Sequence, residues 1–319
     1  MSCLQQASEQ AGDQAAAAKS AGCGRSVIVT GAGKGLGAAF ASAWASRGAR
    51  VLVNNRHLGT GRASAEVLAQ RLRAEGCEAV ADLHAVDAPG AAAAIIEAAL
   101  EAFGRLDVLI LNAGISGAAA KVINLDDAII RSVMEINFHA NTALVRAALP
   151  HLLDAPHARI LFVSSTAGLH GVRGRAAYAA SKGALNAYAL SLAAELRSAR
   201  VGVNVLMPYA ATAMTAAEAA VSDPRLATDQ ASPAALWLTS AACAETGGIW
   251  IAGAGWFRRA QALESIGLGN PAASPEWCAE NAAAISDMAG ARSYPDAEAA
   301  FADLYRSAAM GDKSRGAES

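Results

Sequence analysis

Short apolar runs alternate with helical patterns along most of this chain of 319 residues. Residues 26–30, 50–54, 107–111 and 159–164 are such runs; each is rich in Val, Ile or Leu and too short for a helix. The helical patterns between them are long enough to connect parallel strands, whose faces must both be covered. The sequence therefore predicts an α/β fold, with a doubly wound parallel sheet of about seven strands and helices on both faces.

The chain divides into three predicted segments. Residues 1–24 are rich in Ala, Gln and Ser without apolar periodicity, so we expect a flexible leader. The alternation then occupies residues 25–256, which we expect to form one α/β domain. Residues 257–319 are turn-rich and then helical, which predicts a C-terminal helical extension with Ser274 as an N-cap.

Composition and charge exclude several other classes of protein. The 54% hydrophobic content can fill a large core, and the net charge of −2 argues against a nucleic-acid binder. The five scattered cysteines form no C-x-x-C pair, so we expect neither a disulfide framework nor a metal site. Neither an apolar run long enough to span a membrane nor a secretory signal is present, which predicts a cytoplasmic protein with no membrane partner.

A glycine-rich segment follows the first predicted strand and opens the first predicted helix. Glycines at such a place let the backbone turn tightly and approach a pyrophosphate, whose charge the helix amides then meet. The strand before and the helix after separate this segment from an ordinary turn, and together they predict a dinucleotide-binding, Rossmann-like domain. The segment contributes Gly31, Gly33, Lys34, Gly35, Leu36 and Gly37 to the predicted cofactor site.

The end of the second strand bears on which dinucleotide is bound. A carboxylate there would bind the adenosine ribose hydroxyls and repel a 2′-phosphate. This chain instead has Asn55 and Arg56, with Lys34 in the loop opposite. These cations favour NADP, with NAD as the alternative, although Arg56 and Arg62 are also interpretable as ordinary solvated charges.

Two further strand ends belong to the predicted cofactor site. Asp87 follows the third strand, where it could accept a hydrogen bond from the adenine amino group or cap the next helix. Asn112, Ala113 and Gly114 end the fourth strand, where the backbone would pass close to the cofactor.

Tyr178 and Lys182 are spaced to share one face of a helix. An ammonium group beside a phenol would lower a pKa that starts at about 10 and allow acid–base chemistry near neutral pH. Ser165, at the end of the fifth strand, could hold a substrate oxygen, and Asn137, inside a helical pattern, could bind a relay water. We therefore predict that these four residues are catalytic.

The motifs T-G-x-x-x-G-x-G, N-A-G and Y-x-x-x-K, at residues 30–37, 112–114 and 178–182, resemble those of the short-chain dehydrogenase/reductase family. The resemblance implies that Tyr178 is the acid/base, that Lys182 lowers its pKa and holds the nicotinamide ribose, that Ser165 orients the substrate and that Asn137 anchors a relay water. It further implies that Pro208 and Thr212 contact the nicotinamide, although Tyr209 stands where the family has Gly.

Within the family, residues 51–55, 208–215 and 246–256 most resemble the hydroxyacyl-coenzyme A dehydrogenase unit of peroxisomal multifunctional enzymes of type 2, which has Asp in place of Asn55 and uses NAD. The expected activity is NAD(P)-dependent interconversion of a secondary alcohol and a ketone. The leading candidate substrate is a 3-hydroxyacyl or 3-oxoacyl thioester. A hydrophobic ketone or steroid is the alternative, and a non-catalytic NADP(H) sensor is a third hypothesis. The resemblance also implies a homodimer or homotetramer.

Overall fold

The structure, a computed structural model, describes residues 24–57, 59, 61–211 and 223–315, without the side chains of 309–315. The chain divides between Arg259 and Ala260 into two compact units. The strands are β1 (Ser26–Val29), β2 (Arg50–Asn54), β3 (Ala79–Asp82), β4 (Val108–Leu111), β5 (Arg159–Val163), β6 (Gly202–Pro208), β7 (Gly248–Gly253) and β8 (Trp256–Ala260).

Helices connect the strands and continue after the last of them. They are α1 (Gly35–Ala45), α2 (Ser64–Ala74), α3 (Ala91–Phe103), α4 (Asp127–Met134), α5 (Ala140–Leu153), α6 (Ala167–His170), α7 (Ala176–Glu195), α8 (Ser232–Thr239), α9 (Pro275–Glu280), α10 (Ala282–Ile285) and α11 (Ala297–Arg315). A π-helical turn, Glu135–His139, joins α4 to α5 and interrupts the helical stretch predicted there. Short 3₁₀ turns lie at Val122–Asn124, Arg197–Ala199, Pro224–Leu226 and Thr228–Ala231.

The strands form one sheet in the order β3-β2-β1-β4-β5-β6-β7-β8, with parallel pairing from β3 to β7. The neighbours β1 and β4 are parallel, but the order in which strands are added reverses between them: β2 and β3 extend the sheet on one side of β1, and the later strands extend it on the side of β4. Ligands of open α/β sheets bind at the carboxyl ends of the strands beside such a reversal. The predicted fold class is confirmed, and the sheet contains eight strands rather than about seven.

The additional strand, β8, lies at the sheet edge and was not predicted. Its residues Trp256 and Phe257 are exposed, and Arg258 and Arg259 follow them, so the segment lacks the buried apolar run that marked the other strands. A turn with positive φ at Ala254 and Gly255 separates it from β7. Charged side chains on an edge strand discourage pairing with another sheet.

The central strands are buried because helices cover both faces of the sheet. All four residues of β1 and of β4 are buried, as expected for parallel strands inside an α/β layer structure. Phe40 and Trp44 of α1 pack into the same core and fix this helix against the sheet. The glycine-rich segment, which leads into α1, is thereby held at the end of β1.

The second unit contains α9, α10 and α11. Ser274 accepts a hydrogen bond from the Trp277 amide at 3.2 Å, which confirms the predicted N-cap. Asp303 of α11 accepts hydrogen bonds from Arg292 and from the Tyr294 hydroxyl, which ties this helix to the preceding loop.

Candidate active site

A cleft of about 1010 Å³ lies at the carboxyl ends of the central strands. A volume of this order accommodates a ligand larger than a typical drug molecule. It brings together ten of the residues that the sequence assigned to the cofactor. These are Gly31, Lys34, Gly35, Leu36, Asn55, Arg56, Asp87, Asn112, Ala113 and Gly114.

The glycine-rich segment is packed too tightly for a side chain at Gly31 and at Gly37. Gly31 has φ +63°, and a Cβ there would lie 2.9 Å from the Cα of Ala113. A Cβ on Gly37 would lie 2.5 Å from Nδ2 of Asn112, which itself donates a hydrogen bond to the Thr30 carbonyl at 2.9 Å. The segment is therefore joined to the end of β4, and its glycines allow the close approach that a pyrophosphate cradle requires.

Two cations lie at the end of the cleft formed by β2. Lys34 and Arg56 are exposed, and within the described part of the chain neither side chain has a hydrogen-bond or ion-pair partner. Arg62 also lines this end, where its guanidinium donates to the Gln70 side chain. A site with unpaired cations is suited to a phosphate.

Asp87 lies on the cleft wall, as the adenine interpretation requires. The alternative, that it caps the following helix, is wrong. Gly90 is the N-cap of α3 with φ +78°, and no side chain caps that helix. Asp87 is the sole carboxylate among the described residues that line the cleft.

None of the four predicted catalytic residues lines the cleft itself: Lys182 and Asn137 lie directly behind its wall, Tyr178 is next to Lys182, and Ser165 is hydrogen-bonded to Tyr178. Nζ of Lys182 donates to the Val163 carbonyl at 2.8 Å and lies 5.8 Å from the centre of the Tyr178 ring. A Cβ built on Gly114, which lines the cleft, would be 3.6 Å from this Nζ and 3.1 Å from Oδ1 of Asn137. Lys182 and Asn137 are thus adjacent to the same point of the wall.

Burial changes both titrations in the Tyr178–Lys182 pair. It raises the pKa of Tyr178, and the hydrogen bond with Ser165 and the charge of Arg175 offset only part of this rise. It lowers the pKa of Lys182 to about 8. Burial thus acts against the predicted lowering of the Tyr178 pKa, which requires the positive charge of the nicotinamide as well as Lys182.

Asn137 lies in the π-helical turn and is fully buried. Its Oδ1 accepts from the Ile115 amide at 2.8 Å, and its Nδ2 donates at 2.9 Å to both the Ile115 carbonyl and Oγ of Ser181. Protein atoms thus use both amide hydrogens, so this side chain has no donor left for a relay water. π turns often occur at functional sites.

The backbone of the same turn has an unusual partner. Nδ2 of Asn141 donates to the Asn137 carbonyl at 2.7 Å, whereas Oδ1 of Asn141 is buried without a hydrogen-bond partner among the described atoms. Buried acceptors in proteins normally have a partner. A water at Oδ1 of Asn141 would satisfy this atom.

Several residues of the site had little or no signal in the sequence. The roles of Ser181, Asn141 and Ser64 could be recognised only from their hydrogen-bond partners in the structure, because small polar residues are common on helices. Ser181 lies inside the Tyr178–Lys182 motif, which was its only signal.

Other predicted residues lie off the cleft wall. Gly33 and Gly37 pack behind it, and Pro208 is the last residue of β6. Thr212 lies outside the described residues.

The matches to known proteins agree with this architecture. Residues 25–223 match the family model described as short chain dehydrogenase. The chain is 33% identical over 282 residues to peroxisomal multifunctional enzyme type 2 of Mus musculus, covering 84% of this chain but only 37% of that protein. It therefore spans little more than a third of that relative.

Two solved structures extend the comparison. A short chain dehydrogenase from Mycobacterium avium has a TM-score of 0.75 and 33% identity, covering 85% of this chain and 97% of that one. A short chain dehydrogenase from Burkholderia cenocepacia in complex with NADP has a TM-score of 0.66 and 26% identity, covering 72% and 97%. With the family model matching more than half of its length, the chain belongs to the short-chain dehydrogenase/reductase family of oxidoreductases.

Proposed function

We propose that this protein is an NADP-dependent oxidoreductase that interconverts a secondary alcohol and a ketone. The observation that carries the proposal is the placement of buried Lys182, with half-buried Tyr178 next to it, behind Gly114 of the cleft that also contains the glycine cradle. A proton-transfer pair next to a dinucleotide site suits hydride transfer, which requires one proton to move for each hydride.

The cofactor would lie with its pyrophosphate against the segment Gly31–Gly37. Lys34 and Arg56, exposed and without partners among the described residues, support NADP over NAD. The Burkholderia cenocepacia relative was solved with NADP, which is consistent with this choice. We assign Pro208 and Thr212 to the nicotinamide by family resemblance alone.

When bound, the reduced nicotinamide would supply the hydride. In the reducing direction, the hydroxyls of Ser165 and Tyr178 hold the substrate carbonyl oxygen, and Tyr178 donates a proton to it. The raised pKa of Tyr178 keeps the phenol protonated at neutral pH, as a proton donor must be. Lys182, with a pKa of about 8, carries a charge at pH 7 and stabilises the phenolate left after the transfer.

Reprotonation of Tyr178 requires a path from solvent. Both amide hydrogens of Asn137 are used, so we assign this residue to holding the turn and Ile115 in place.

The candidate substrate that we favour is a 3-oxoacyl or 3-hydroxyacyl thioester. Its support is the similarity to multifunctional enzymes, of which this chain covers only a part. A hydrophobic ketone such as a steroid is the second candidate. A non-catalytic NADP(H) sensor would not need Ser165, Tyr178 and Lys182 together, and all three are present.

The test is oxidation of NADPH and of NADH with a panel of acyl thioesters and cyclic ketones, followed by absorbance. We expect NADPH oxidation with at least one thioester, and a loss of turnover of at least 100-fold in Tyr178→Phe with NADPH affinity changed by less than about threefold. Turnover that survives in Tyr178→Phe, or affinity that falls together with turnover, would contradict the assignment.

Assembly completes the proposal. We assign the protein to homodimers or homotetramers by family resemblance. Within the described residues, no helix is both long and apolar enough to cross a lipid bilayer.

A further inference from the structure

Three segments of the cleft meet at one point that the sequence did not identify. Nδ2 of Asn55, just after β2, donates to Oγ of Ser64, the first residue of α2, at 2.8 Å. A Cβ built on Gly33 would lie 2.1 Å from this Oγ and 2.6 Å from Nδ2 of Asn55. The phosphate loop, the end of β2 and the start of α2 are therefore in direct contact, and any side chain at position 33 would displace the bonded pair of Asn55 and Ser64.

The orientation of the Asn55 amide is determined by its neighbours. Nδ2 also lies 3.4 Å from the Arg56 carbonyl, an acceptor that excludes the amide oxygen from this side. Ser64 therefore accepts the hydrogen bond from Asn55. Its own hydroxyl hydrogen has no acceptor among the described residues, and the side chain lines the cleft.

The charges around this hydroxyl indicate which ligand it suits. Lys34, Arg56 and Arg62 line the same cleft, as does His57, and the single lining carboxylate in the described chain, Asp87, follows a different strand. A free hydroxyl donor in a cationic environment suits a group that only accepts hydrogen bonds and carries negative charge, such as a phosphate.

We propose that Ser64 is a specificity-determining residue that donates its hydroxyl hydrogen to the 2′-phosphate of NADP(H), with Asn55 holding Ser64 in the orientation that leaves this hydrogen available. The inference rests on the proposed function, since it presupposes that the cleft binds a nicotinamide dinucleotide. It adds to that function a residue that discriminates NADP(H) from NAD(H) by a directed hydrogen bond. This discrimination is additional to that by the charges of Lys34 and Arg56.

The test measures cofactor binding, so it needs no substrate. Dissociation constants of NADPH and NADH are determined by calorimetry for the full-length protein, Ser64→Ala and Ser64→Asp. The control is Ser42→Ala, because Ser42 also accepts a side-chain hydrogen bond but does not line the cleft. Thermal unfolding without cofactor shows whether each variant is folded.

We expect Ser64→Ala to weaken NADPH binding about tenfold, as the loss of a hydrogen bond to a charged group does, and to change NADH binding by less than about twofold. Ser64→Asp should weaken NADPH binding by at least about 100-fold through repulsion, again with little effect on NADH. Ser42→Ala should leave both constants unchanged.

Two results would overturn the inference. Equal weakening of NADPH and NADH in Ser64→Ala would mean that Ser64 only supports the local fold, and unchanged NADPH binding would mean that it does not contact the phosphate. If Ser64→Ala does not fold, Ser64→Asp decides alone, since aspartate is favoured near helix starts. A wild-type preference for NADH would instead refute the NADP part of the proposed function, whatever the variants do.

Discussion

Lys182→Met should make the cofactor-free protein more stable at pH 7. Lys182 is 4% exposed, and burial lowers its pKa from 10.5 to about 8. At about 1.36 kcal/mol per pH unit, this difference means that folding is less favourable by about 3 kcal/mol while the amine is charged. Met removes this penalty, but the buried Val163 carbonyl loses a charged hydrogen-bond donor, at a cost of about 2 kcal/mol. The expected net gain is about 1 kcal/mol.

The pH dependence of this gain follows from the sign of the shift. The folded state releases the Lys182 proton at lower pH than the unfolded state does, because burial disfavours the charged form. The penalty is therefore complete below about pH 8 and is relieved as the pH rises from about 8 to 10.5. The stability advantage of Lys182→Met should accordingly shrink over that range.

The assay is urea unfolding of wild type and Lys182→Met at pH 7 and pH 10, with the free energy of unfolding obtained by linear extrapolation. Lys34→Met is the control, because the exposed Lys34 side chain has no partner among the described residues, and its removal should change stability by less than about 0.5 kcal/mol. A Lys182→Met protein that is less stable than wild type at pH 7, or whose advantage is the same at both pH values, would refute the reasoning.

Two further substitutions test the site. Asn137→Ala leaves the Ile115 amide, the Ile115 carbonyl and Oγ of Ser181 without their shared partner. We therefore expect the free energy of unfolding, measured by urea titration, to fall by about 2–3 kcal/mol. A fall below about 0.5 kcal/mol would contradict the observed bonds. Asn55→Asp places a carboxylate at the end of β2, where it would repel the 2′-phosphate and bind the ribose hydroxyls. Calorimetry should therefore find weaker NADPH binding and stronger NADH binding. An unchanged preference would exclude Asn55 from the adenosine site.

Much of the architecture was predictable because it depends on local patterns. Buried parallel strands such as β4 are continuous apolar runs, and the helices between them have a different period, so their order along the chain is visible in the residues. β8 was missed for the same reason: its Trp256 and Phe257 are exposed, and no buried run marks it.

The candidate site was predictable where a motif carries its own geometry. Tyr178 and Lys182 share a helix, so their spacing alone brings them together, and the glycine segment lies between a strand and a helix. Residues that act through distant partners had no such signal. Ser64 meets Asn55 across a loop, and Asn137 meets Ser181 across two helices.

The amino-acid order alone thus determined the layered α/β fold, the nucleotide cradle and the pairing of Tyr178 with Lys182, since each depends on neighbours within one or two turns of chain. Packing decided the rest. The direction of the Tyr178 shift, the full use of the Asn137 amide and the orientation of the Ser64 hydroxyl follow from how much water and which partners surround each group. Those surroundings are assembled from segments far apart in the chain, and they exist only once the protein has folded.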